Sequence, residues 1–184
     1  MTAHFPHVDS KQVGYDPKTV DPVVALAREQ FANPGSHVLD ASTLRTSQFA
    51  LIKGGYVVEA VDAALDRLDD VFAEQEANRL LAHKGHDGAR QQLAEQRVTL
   101  LGRISRGNRR SFKRQQWWLK GYSVRQVDKL LRTIGATLDG DASLAVATIR
   151  NFTFAPKWGG YNEAQVDAYL DRAVQYLQIS KHLG

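Results

Sequence analysis

The sequence predicts an all-α protein: four leader-plus-helix repeats arranged as two intramolecular helix pairs, with one extra amphipathic helix. Two observations predict it. An octet of the form Gly-Tyr, four variable residues, Val-Asp occurs four times, and an apolar stripe with helical spacing follows each occurrence. The octets are Gly14-Tyr15 to Val20-Asp21, Gly55-Tyr56 to Val61-Asp62, Gly121-Tyr122 to Val127-Asp128, and Gly160-Tyr161 to Val166-Asp167. Four specified positions match by accident roughly once in 10⁵ starts at ordinary residue frequencies. Four matches in 184 residues therefore constitute a repeat.

The stripes read Val20, Val24, Ala27, Phe31; Val61, Leu65, Leu68, Phe72; Val127, Leu131, Ile134, Leu138; and Val166, Leu170, Ala173, Leu177. Their heptad-like spacing makes one narrow face, which suits pairing with a second helix. The residue after each Tyr marks the helix start. Asp16 precedes Pro17, a capping residue followed by a first-turn proline. Ser123 with Gln126, and Asn162 with Gln165, have capping-box spacing. Val57 has no capping side chain, so the second helix begins differently.

Within the octet the Gly permits a sharp reversal into the helix. The Tyr is expected over its own first turn, with its hydroxyl at the surface. Two readings of the Asp stand side by side. Either it gains about 0.3–1 kcal/mol from the positive helix end, or it pairs with a basic residue before the Gly-Tyr, such as Lys120 or Lys53.

The leaders fall into two types. In copies one and three a Phe stands nine residues before the Gly (Phe5, Phe112). In copies two and four it stands six before, and the Gly is doubled (Phe49 with Gly54-Gly55, Phe154 with Gly159-Gly160). Copies two and four also share Thr43/Thr148, Arg45/Arg150 and Ala50/Ala155. An ancestral pair duplicated whole explains this pattern. The proposed domains are 1–104, holding the first pair plus the extra helix, and 105–184, holding the second pair.

An aromatic-rich leader, Gly-Tyr, a variable tetrad, Val-Asp and a heptad helix together resemble the N-terminal domain of DivIVA, a bacterial scaffold of division site and pole. The multiplicity is similar to the actinobacterial repeat proteins of that family. The resemblance covers four segments of about 30 residues each. It implies a non-enzymatic cytoplasmic module whose paired helices run parallel, with other division or envelope proteins as partners. It also implies membrane contact through an apolar and a basic residue just before the Gly-Tyr. Leu119 and Lys120 match those positions in copy three, with Trp117 and Trp118 beside them. In copy four Trp158 and Lys157 come close, but Gly159 occupies the basic position. The long coiled-coil tail through which DivIVA polymerises is absent from these 184 residues, so partner binding or capping is expected in place of filament growth.

Composition bounds the remaining choices. Apolar content of 43% is that of a globular chain. With no cysteine, disulfides and thiolate chemistry are excluded. The opening Met-Thr-Ala-His-Phe-Pro-His lacks the basic start and apolar run of a signal peptide, and no window approaches a membrane span. Any membrane contact is therefore peripheral, at the inner face of the membrane at septum or pole on the family's precedent.

Net charge is +4, but no acidic residue occurs between Gln96 and Val127. That window holds Arg97, Arg103, Arg106, Arg109, Arg110, Lys113, Arg114, Lys120 and Arg125. Such concentration suggests a polyanionic partner. An anionic membrane is one, met by the tryptophans and lysine at the tip. Nucleic acid is the alternative, with Arg on phosphates across Arg97–Arg125 and the Trp pair stacking on bases. Against both stands a reading in which the two Trp cover the third helix. In an extended leader, adjacent residues face opposite ways, which would leave one Trp in the core and one exposed.

The expected helices run from about Pro17 to Ala32, about Val57 to Leu81, about Asp87 to Ile104 (the extra helix), about Val124 to Leu138 and about Glu163 to His182. A short helix is expected over Ala142–Thr148. Asn33-Pro34-Gly35, His83-Lys84-Gly85 and Asp139-Gly140-Asp141 supply the stops. The chain is expected to be a monomer with internal pseudo-dimers or a homodimer. No cofactor is expected. His83 and His86 with Asp87, and His4 with His7, lack a convincing set of further metal ligands. No nucleophile motif or phosphate-cradling loop appears.

Overall fold

A computed structural model describes residues 5–33 and 49–183. Pro34, Gly35, Thr43, Arg45 and His4, named above, lie outside the described residues. The described chain is mainly helical. Its helices are α1 (Pro17–Ala32), α2 (Val58–Ile104), α3 (Val124–Asp139), α4 (Val146–Arg150) and α5 (Glu163–Leu183). Its strands are four three-residue pieces, β1 (Val13–Tyr15), β2 (Leu51–Lys53), β3 (Lys120–Tyr122) and β4 (Pro156–Trp158). The chain forms two compact units, Met1–Asn78 and Arg79–Gly184.

In the first unit β1 and β2 form an antiparallel ribbon pairing Val13 with Lys53, Gly14 with Ile52 and Tyr15 with Leu51. α1 starts as its sequence dictates: Asp16 accepts from the Lys18 N–H, and Pro17 occupies the first turn. The core is built along the stripe. Val20, Val24, Tyr56 and Val61 are buried together, with Phe5, Tyr15, Phe49 and Leu65 against them. Ala27 and Phe72 follow, with Val23, Leu65 and Leu68. Phe31, expected on this stripe, is 57% exposed. Phe72 fills the space over the small Ala27, and Phe31 lies one turn beyond it.

The stop expected at His83-Lys84-Gly85 is a one-residue interruption. Gly85 takes φ 68° and ψ 177°, which only glycine adopts cheaply, and the helix resumes.

The second unit repeats the ribbon. β3 and β4 pair Lys120 with Trp158, Gly121 with Lys157 and Tyr122 with Pro156. Its core joins Val127, Leu130, Leu131, Ile134 and Leu138 of α3 to Val166, Tyr169, Leu170, Ala173 and Val174 of α5, with Phe112, Ile149, Phe154 and Tyr161. α3 ends at Gly140 in the left-handed region, as the Asp-Gly-Asp stop requires.

The unit boundary falls at Asn78/Arg79, not at the expected 104/105. The reason is packing. Leu100 of the extra helical stretch is buried in the second core, and Leu101 and Ile104 lie against it. Tyr169 donates to the Leu100 carbonyl (3.3 Å), and Arg97 donates to the Leu138 carbonyl (2.7 Å) and pairs with Asp139 (2.7 Å). Val98 of the same stretch is exposed.

Candidate functional site

The Gly-Tyr octets meet one another. Tyr15 N–H donates to the Tyr56 carbonyl (3.0 Å) and Tyr56 N–H to the Tyr15 carbonyl (2.8 Å). Tyr122 and Tyr161 exchange the same two bonds at 3.0 and 2.9 Å. The glycines are there because the backbones touch. A Cβ on Gly14 would stand 2.2 Å from the Tyr56 carbonyl oxygen, and one on Gly121 would stand 2.2 Å from that of Tyr161. Neither has a positive φ, so close approach sets these positions.

The Tyr and Asp of the octet bond across copies. The Tyr56 hydroxyl donates to Asp21 (3.1 Å), Tyr161 to Asp128 (2.9 Å) and Tyr122 to Asp167 (3.4 Å). In the fourth pair Asp62 lies near enough to Tyr15 to raise its phenol. This corrects the expectation of a surface hydroxyl: Tyr56 and Tyr161 are buried. It also corrects the proposed pairing of the Asp with Lys53 or Lys120. Asp128, itself buried, takes a second bond from the Arg109 N–H (2.9 Å). Burial raises all four phenols above the ordinary tyrosine range, helped by the facing carboxylates; Tyr122 and Tyr161 are pushed up to about 12. Burial also raises Asp62 and Asp167, against the lowering effect of the facing tyrosines.

The capping boxes close differently from their spacing. Ser123 makes no side-chain cap bond, and Gln126 Oε1 accepts from the Ala155 N–H (2.8 Å). Asn162 does cap, accepting from the Gln165 N–H (3.1 Å), while Gln165 Oε1 accepts from the Lys113 N–H (3.1 Å). Both glutamines thus hold the backbone of the opposite leader. His7 Nδ1 donates to the Gly54 carbonyl and Arg114 Nε to the Gly159 carbonyl, each at 2.8 Å.

This scaffold presents the candidate site at the free end of the β3–β4 ribbon. Residues 116–119 form a turn closed by Leu119 N–H donating to the Gln116 carbonyl (2.8 Å). Trp117 is 78% exposed, Trp118 52% and Leu119 46%. The strand alternation expected to bury one Trp does not apply, because both lie in the turn ahead of β3. Their rings meet edge to face at 5.2 Å. Trp158, 64% exposed, lies directly across the ribbon from Lys120, whose Nζ is 5.2 Å from its ring centre. Copy four, with Gly159 at the basic position, thus places its tryptophan at the same ribbon end. In the first unit the corresponding ribbon exposes Val13, Leu51 and Ile52 and no aromatic residue.

The basic window divides. Arg97 and Arg114 are bonded as above, and Arg103 lies over the Phe112 ring (5.6 Å) and donates to the Ser111 carbonyl (3.4 Å). Arg106, Arg109, Arg110 and Lys113 are exposed on the turn before β3. Among the described residues, no group of three His, Cys, Asp or Glu is placed to hold a metal, and no helix is long and apolar enough to cross a membrane. No protein-family model, curated protein or solved structure matches the chain.

Proposed function

We propose that this chain is a non-enzymatic, DivIVA-like scaffold or adaptor module of division or polar growth. On this reading it meets an anionic membrane surface, from the cytoplasmic side, through the Trp/Lys tip of its second unit. Each unit is then two repeats folded together as an intramolecular pair, with the octets crossing at their glycines and the helices starting side by side. Other division or envelope proteins are its partners.

The observation that carries the membrane reading is the tip: Trp117, Trp118, Leu119 and Trp158 are all exposed at one ribbon end beside Lys120. An isolated exposed Leu means little, but three tryptophans in water at one place are costly unless something covers them. Tryptophan prefers the lipid headgroup level, and each nearby cation gains about 1 kcal/mol at an anionic surface. The nucleic-acid alternative draws on the whole Arg97–Arg125 window, and it is weakened because Arg97, Arg103 and Arg114 are used internally.

Co-sedimentation of the full chain with phosphatidylglycerol vesicles, phosphatidylcholine vesicles and duplex DNA tests the proposal. Binding to the anionic vesicles, lowered at least tenfold by Trp117→Ala with Trp118→Ala, is expected. Equal loss of DNA and vesicle binding on reversing Arg106 and Arg110, with no effect of the tryptophans, overturns it.

A further inference from the structure

The net charge of +4 hides a separation. Residues 1–78 hold 6 Lys/Arg against 12 Asp/Glu, and residues 79–184 hold 18 against 8. The first unit is thus −6 and the second +10. Each unit displays part of its excess as a compact exposed cluster.

On the second unit the feature is the turn carrying Arg106, Arg109, Arg110 and Lys113. This turn has a defined shape. Gly107 and Arg109 take φ 83° and 65°, the Arg109 N–H is held by Asp128, and Arg132 donates to Asn108 (3.1 Å). The cations are therefore displayed on an ordered backbone, which lowers the ordering cost of binding. On the first unit the matching feature is the outer face of α2. Glu59, Asp62, Asp66, Asp70 and Glu74 follow one another at steps of three or four and are all exposed. They form one ridge about 22 Å long at 1.5 Å per residue. Like charges at this spacing destabilise a helix by about 0.2–0.5 kcal/mol per pair. Glu59 and Asp62 gain from the positive start of α2, and Asp66, Asp70 and Glu74 continue the same exposed face along the helix.

We infer that the acidic ridge of α2 docks on the Arg106–Lys113 turn of a second copy of this chain. The two surfaces are opposite in sign, similar in charge number and carried by every molecule. A ridge-to-turn contact is heterologous: each copy added leaves one ridge and one turn open, so the assembly can extend. Trp117, Trp118, Trp158 and Lys120 take no part, so the association stands apart from the membrane proposal and leaves the tips free. Because the contact is between exposed charges, salt screens it.

Sedimentation velocity of the full chain, without lipid, tests this. At low salt the weight-average mass is expected to rise above 20.5 kDa with protein concentration and to return to it at high salt. Glu59→Lys with Glu74→Lys, and separately Arg106→Glu with Arg110→Glu, should each leave the chain monomeric. Mixing these two variants should restore association, because the intact turn of one meets the intact ridge of the other. Circular dichroism of each variant should match the wild type, since all four positions are exposed. A wild-type chain that stays monomeric at low salt, a variant that associates as the wild type does, or a mixture that stays monomeric overturns the inference.

Discussion

Replacing Gly121 with alanine is the most informative single change to the fold. The new Cβ would lie 2.2 Å from the Tyr161 carbonyl oxygen and 2.9 Å from Gln115 Cγ. The glutamine can swing away; the carbonyl cannot, because it accepts the Tyr122 N–H while Tyr161 N–H returns a bond to Tyr122. Relieving the clash needs more than 1 Å of separation, which breaks both bonds at a net cost of about 1 kcal/mol each. Residual overpacking adds about 1–3 kcal/mol. The expected loss is about 3–5 kcal/mol, a large part of the 5–15 kcal/mol typical of a domain. Gly102→Ala is the control: it lies in α2 with nothing within 4 Å, so alanine should stabilise by about 0.5–1 kcal/mol. Urea denaturation followed by far-UV circular dichroism compares the two. If Gly121→Ala lies within about 0.5 kcal/mol of the wild type, the crossing of the octets is not what holds this unit.

Tyr161→Phe removes a donor from buried Asp128 and should cost about 1.5–3 kcal/mol, whereas Tyr122→Phe, facing the exposed Asp167, should cost under about 1. A double-mutant cycle of Tyr161→Phe with Asp128→Ala should show coupling above about 0.5 kcal/mol; additivity would exclude the bond as a stabilising contact. Gln126→Ala leaves the Ala155 N–H without its acceptor, so hydrogen exchange at Ala155 should speed up while the Ser123 amide, bonded to the Ala155 carbonyl, changes less. Unchanged exchange at Ala155 would refute the clamp. Tyr122 and Tyr161 stay protonated in the folded chain up to about pH 12, whereas an unfolded tyrosine ionises near 10. Between those values the folded state binds more protons, so stability should fall as pH rises from 10 to 12 and be unaffected by these groups below 10. Spectrophotometric titration showing all six tyrosines ionising near 10 in the folded protein would contradict this.

Much of the helical frame was legible because each start combined local signals. Asp16-Pro17 and the stripe behind it fixed α1, and Gly140 closed α3. The ribbons were not legible, since three-residue strands carry no readable period and are made by pairing with a distant leader. The Tyr–Asp bonds left a signal that went unused. Both residues recur in all four octets, and a tyrosine placed before the cap does not easily reach its own second-turn Asp, so their joint recurrence pointed to a bond between copies. The unit boundary was misplaced because an amphipathic helix does not show in its own sequence which pair its apolar side covers; Leu100, Leu101 and Ile104 of the extra helix pack on the second core. The tip residues were legible from their place just before the Gly-Tyr together with their residue types; that Trp158 lies across from Lys120 required the register of β3 with β4.

The central claim is that Trp117, Trp118 and Trp158 meet lipid together, and quenching of their emission by phosphatidylglycerol vesicles with bromine on the upper acyl chain tests it most directly. All three tryptophans of the chain belong to this tip, so the signal has no other source. The account predicts a blue shift and strong quenching on vesicle addition, both reduced by Lys120→Glu. Vesicle-bound protein whose emission keeps its free wavelength and intensity would contradict it.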